Sequence, residues 1–166
     1  MTTLKRLSAA GVPAAMAKAE RYRLLNQPWA AESICLDVLE AAPGDQEAVV
    51  LLLLSLTDQF GREAGAPARA KEALKRLEDP YRRAYYAGVI AERRATVALH
   101  AGGPGSGPVA WGLLQEAMQH YEEAEGGRPA GNDEAILRWN TCQRLLARHP
   151  ELGPRPADEG VEVVGE

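Results

Sequence analysis

Nucleophilic catalysis needs a serine or cysteine held against a base, and metal chemistry needs three or four converging ligands. The chain carries two cysteines, Cys35 and Cys142, and three histidines, His100, His120 and His149. Glu116 and His120 come nearest to a metal set, because residues four apart share one helical face, and Glu123 could join them only one turn further along. The plainer reading is a solvated Glu–His pair. His100 and His149 fall where helices should end, and there a histidine complements the negative end of the helix dipole. Cys35 and Cys142 lie on apolar stripes, as small core residues do, and show no CxxC spacing. The glycine-rich stretch Gly102 to Gly107 lacks the Gly-Lys-Ser/Thr that a phosphate-binding loop requires, and reads as a connector. No cofactor and no metal is therefore assigned.

The elements that must carry these side chains follow from composition. Of 166 residues, 29 are alanine and 20 leucine, against 18 valine, isoleucine and threonine together. Strong helix formers thus outnumber strand formers, and the expected class is all-α. Residues 1–150 hold 18 acids and 18 bases, so the body offers no large phosphate-binding footprint, and no nucleic-acid partner is expected. The longest apolar run, Val49 to Leu56, is far short of the ~20 residues that span a bilayer, so no membrane partner is expected either. Lys5 and Arg6 precede an alanine-rich stretch, but Ser8, Gly11, Pro13 and Lys18 make it a poor secretory leader. Cytoplasmic localisation is the expectation.

Proline and glycine punctuate seven helical segments: about Pro13 to Asn26, Trp29 to Ala42, Asp45 to Phe60, Pro67 to Glu78, Tyr81 to His100, Pro108 to Glu125, and from Asn132 to near His149. Residues 1–11 are expected to be a flexible N-terminal segment. Residues 150–166 hold most of the excess acid and are expected to form a disordered tail. In the last segment Ala135, Ile136, Trp139, Cys142, Leu145 and Leu146 fall on one stripe, so Trp139 should be buried. Glu134, Arg138, Arg144 and Arg148 should face solvent, as on a terminal capping helix.

Seven helices joined mostly by short turns suggest stacked antiparallel pairs, and a repeat is visible. Tyr22, Ala31, Val38 and Pro43 are separated by 9, 7 and 5 residues. That spacing resembles the tetratricopeptide repeat, whose length is about 34 residues. The register puts successive repeats at residue 12, residue 46 and near Tyr81, with Leu52, Leu53 and Leu56, then Ala70, Leu74 and Leu77, at packing positions of the second, and Ala87-Gly88 at the close-packing pair of the third. The repeats are degenerate: Lys18 replaces a leucine, Leu53 a small residue, and the third repeat is about 20 residues longer around the glycine-rich loop.

Over residues 12–149 the resemblance implies a TPR-like right-handed superhelix of about three repeats, closed by the C-terminal capping helix. First helices would line a concave groove. The groove positions would be Met16, Glu20 and Arg23, then Val50, Leu54 and Asp58, then Arg82, Tyr85, Val89 and Arg93, with Asn140 and Arg144 beyond. Chaperone-binding members of the family clamp a C-terminal carboxylate with Lys, Asn and Arg. The matching positions here are Met16, Glu20, Leu51, Arg82 and Tyr86, and only Arg82 fits.

The leading expectation is a non-enzymatic adaptor, monomeric or weakly self-associating, that binds an acidic protein or peptide segment. Arg82, Tyr85 and Arg93 would hold its acidic end, and Glu20 and Asp58 a basic or polar residue at the other end. The alternatives are a metal-dependent protein or enzyme using Glu116, His120 and Glu123, and a self-assembling structural subunit. For Arg82, Arg83, Arg93 and Arg94 a plainer role stands beside the binding one: pairing with Asp58, Glu63 or Glu92 inside the stack, with Tyr85 and Tyr86 packed between repeats.

Overall fold

The computed structural model of the chain describes residues 2–154. It is all-α, with seven helices and no strand among the described residues: α1 (Val12–Leu24), α2 (Pro28–Ala41), α3 (Gln46–Thr57), α4 (Ala66–Lys75), α5 (Pro80–Ala101), α6 (Ser106–Gly126) and α7 (Glu134–Arg148). Each helix packs chiefly on the next, and α1 also touches α3 and α3 touches α5. The helices α1, α3 and α5 begin at residues 12, 46 and 80, each 34 residues after the last.

Local chemistry explains the boundaries. Proline opens α2 and α5, where a missing N–H costs nothing. Asp45 Oδ1 accepts from the Ala48 N–H at 3.0 Å and Asp79 Oδ1 from the Tyr81 N–H at 3.0 Å, capping α3 and α5. Asn26 closes α1 in the left-handed conformation, φ 58°, which asparagine tolerates better than most residues.

A helix that is apolar all round must be buried. α3 meets that condition: Ala48 through Leu53, with Leu56, are all buried, and the hydroxyls it carries inward are satisfied within the helix. Ser55 Oγ donates to the Leu51 carbonyl at 2.7 Å and Thr57 Oγ1 to the Leu54 carbonyl at 2.8 Å. Around α3 forms a first apolar cluster, drawn from α1 to α4 with Phe60 and Ile90, and α5 to α7 build a second around Leu114, Tyr121 and Cys142. Leu54 and Tyr86 touch both. A buried carboxylate, Glu32, ties α2 to the neighbouring elements: it accepts from Gln59 Nε2 at 2.7 Å and pairs with Arg69 of α4.

Both ends of the described chain make contacts with the helices. Leu7 packs on the first cluster, and within the same segment Ser8 Oγ accepts from the Gly11 N–H at 3.2 Å, just ahead of α1. At the other end Pro150–Leu152 forms a 3-10 turn whose Leu152 is buried against Gly107 of α6, with Gly153 beside Trp111. Leu152, within the expected tail, thus packs on α6. The remainder of that tail, residues 155–166, lies outside the described residues. In α7, Trp139 is half-buried, and its Nε1 donates to Glu122 Oε1 at 2.9 Å. Arg138, expected in solvent, reaches inward to Glu92 of α5 at 3.2 Å, because the Glu92 carboxylate is held among α5, α6 and α7 and requires a cation there.

Candidate functional site

Near the C-terminal ends of α1 and α3, three charged side chains from α1, the residue capping α3, and α5 come together. Arg23 Nε donates to Asp58 Oδ2 at 2.7 Å, and Arg93 Nη2 stands 3.6 Å from Asp58 Oδ1. Arg23 occupies the last turn of α1, where a cation complements the helix dipole. Asp58 caps the C-terminus of α3, where the same dipole disfavours an acid, so the two guanidiniums are what make its position tolerable. Among the described residues Arg93 makes no hydrogen bond, which leaves its N–H donors free to face an incoming acceptor.

These residues line an open cleft of about 460 Å³ with Glu20, Leu24 and Asn26. A second cleft of about 490 Å³ shares Asp58 and Arg93 and continues over Phe60, Arg62, Val97 and His100. The two adjoin at Asp58 and Arg93 and are taken together as a trough, with Leu24 (88% exposed) at one side, cationic groups at Arg23, Arg62 and Arg93, and apolar lining at Phe60 and Val97. His100 Nδ1–H donates to the Thr96 carbonyl at 2.8 Å, one helical turn back, which holds the ring at the mouth of the second cleft.

Four of the expected groove residues, Glu20, Arg23, Asp58 and Arg93, therefore meet in one place. The others do not. Arg82 lies eleven residues from Arg93 on α5, about 16 Å along the axis at the helical rise, and pairs with Glu47 of α3 at 2.6 Å. Val89 and Tyr85 are buried, since α6 covers that face of α5. Tyr85 is surrounded by aromatic rings, with Tyr81, Tyr86 and Tyr121 centred 6.0, 5.0 and 5.8 Å away. Leu54 is half-buried between the two clusters, Val50 is buried, and Met16 packs on the first cluster. Asn140 is half-buried and Arg144 exposed, both on α7. The expected order along the groove, acid-binding at one end and Asp58 at the other, is replaced by Asp58 and Arg93 in direct contact.

Leu24, Asn26, Arg62, Thr96, Val97 and His100 join the trough without having been anticipated. Arg62 lies in the turn after α3, and a register counted along helices does not reach it. Leu24 was legible in principle, as a leucine next to the Asn26 helix stop.

Other chemistry finds little geometry. His120 Nε2 and Glu116 Oε1 stand 3.8 Å apart, and among the described residues no three His, Cys, Asp or Glu side chains converge. Burial pushes the Cys35 and Cys142 thiols up to about 12, which makes both poor nucleophiles at neutral pH. No helix among the described residues is long and apolar enough to cross a membrane. No protein-family model, no curated protein and no solved structure matches this chain.

Proposed function

We propose that the protein is a non-enzymatic helical-repeat adaptor of the tetratricopeptide kind, acting in the cytoplasm, whose trough takes a short acidic segment of a partner protein. The observation that carries the reading is the meeting of Arg23, Asp58 and Arg93, one side chain from each of the three helices that start 34 residues apart. In a stack of helix pairs the first helices of successive repeats line one surface, and the order of contact α1 to α3 to α5 supports that arrangement here. Gly88 fits as well, lying where the repeat favours a small residue and where the Tyr121 ring of α6 packs directly on α5.

The ligand chemistry follows from the trough. Arginine grips carboxylates through paired N–H donors, and three guanidiniums outnumber the two acids, Glu20 and Asp58. Leu24 at one side and Phe60 and Val97 in the lining supply apolar area beside the charges. A segment that alternates acidic and aliphatic residues satisfies both.

Selection from a random peptide library on the full chain tests the reading. Enriched peptides should carry Asp or Glu next to an aliphatic residue, and their affinity should fall at least tenfold with Arg93→Glu. Enrichment without acids, or binding indifferent to Arg93→Glu, would reject it.

A further inference from the structure

The trough has a candidate occupant in the chain itself. Leu152, at the end of the 3-10 turn Pro150–Leu152, lies against Gly107, and the following Gly153 lies beside Trp111, both at the start of α6. The start of α6 is joined to the end of α5 by the short connector at Gly102 to Gly105, and that end of α5 supplies His100 and Ala101 to the second cleft. The chain therefore leaves the described structure at Pro154 from the same end of the α5–α6 hairpin that forms the trough wall.

Twelve residues follow, 155–166, with four acids (Asp158, Glu159, Glu162 and Glu166) against one base, Arg155. Extended, they reach about 40 Å. Arg93 is eight residues from the end of α5, about 12 Å along its axis, so the reach is ample. The chemistry also matches. Val161-Glu162-Val163-Val164 interleaves an acid with aliphatic side chains, and the second cleft presents Arg62 and Arg93 beside Phe60 and Val97.

We propose that residues 155–166 dock in the trough over Arg62, Arg93, Phe60 and Val97, as a tethered competitor of the acidic partner segment. A short tether gives such a segment an effective concentration on the order of millimolar, so even weak contacts hold it and a partner must displace it. The competitive role rests on the function proposed above. The docking does not, and it is measurable on the chain alone.

The test places a nitroxide on Val163→Cys in the full chain, labelled under native conditions that leave the buried Cys35 and Cys142 unmodified. Amide NMR signals of Arg62, Thr96 and Val97 should lose most of their intensity and recover when the nitroxide is reduced. Adding Glu162→Lys and Asp158→Lys, both outside the described body, should restore those signals in the oxidised state as well. Unchanged signals, or broadening centred elsewhere such as around Leu36 of α2, would overturn the proposal. So would broadening that appears only in isotope-labelled chains mixed with spin-labelled ones, because the occupant would then be a second copy. None of these results bears on whether library peptides bind through Arg93, so the two readings fail separately.

Discussion

The ring of Tyr121 lies directly over Gly88: a Cβ built on that glycine would stand 2.5 Å from Tyr121 Cε1. The contact fixes how closely α6 approaches α5. Tyr121 cannot retreat, since it is fully buried and its hydroxyl donates to Glu92 Oε2 at 2.5 Å. Gly88→Ala would normally favour a helix by up to about 1 kcal/mol. Here it should cost ~1–3 kcal/mol through overpacking, read as a lower urea midpoint. An unchanged or raised midpoint would mean that the two helices are not held at this distance.

Both thiols should make the protein sensitive to alkali. Cys35 and Cys142 rise from the ordinary 9.0 to about 12 because burial penalises the thiolate, and Tyr86 rises from 10.0 to about 12 for the same first reason. The unfolded chain therefore ionises first as pH rises, and proton loss favours unfolding. The stabilising effect is complete below pH 9 and is lost progressively between about 9 and 12. Urea midpoints at pH 8.5 and 10.5 should show the decline. In the native protein neither thiol should react with a disulfide reagent at pH 8, and both should react in denaturant.

Leu152 should anchor the C-terminal turn to the helical body. It is 6% exposed against α6, so truncating it to alanine should cost about 2 kcal/mol, at the low end for a buried leucine because the turn is at the margin of the core. Ending the chain after Pro150 should lower the melting temperature by several degrees, at ~2–4 °C per kcal/mol for a domain of this size. Ending it after Pro154 removes only the tethered tail and should lower that temperature by no more than about 1–2 °C. Equal melting temperatures for the two truncations would show that Leu152 contributes nothing.

Arg82 and Arg93 should separate in function. Arg93 stands in the trough, 39% exposed and short of hydrogen-bond contact with Asp58, whereas Arg82 pairs with Glu47 at another place on α5. Arg93→Glu should weaken capture of an acidic peptide at least tenfold, about 1.4 kcal/mol, and Arg82→Glu should change it little. Arg82 pairs with an exposed carboxylate, and Arg93→Glu leaves Arg23 bonded to Asp58, so circular dichroism should be unchanged for both. If Arg82→Glu produced the larger loss, the binding surface would lie along the middle of α5.

Much of the architecture is written locally in the chain. Prolines at helix starts, aspartates at N-caps and Asn26 at a helix end act on their own few residues, so they set ends of α1, α2, α3 and α5 whatever surrounds them. The all-apolar run of α3 likewise requires a central position, because no face of it can be given to water. Tertiary structure decided which neighbour covers each face. On α5 the same periodicity marks Tyr85, Val89 and Arg93 as near one another, yet α6 closes over the first two and leaves the third open. Charge pairing was equally non-local. Arg138 goes to Glu92, Arg82 to Glu47, and Arg23 with Arg93 to Asp58, each across 35 or more residues of sequence. A charge interacts with whatever opposite charge the fold brings within a few ångströms, so only the packed helices could turn three scattered residues into one site.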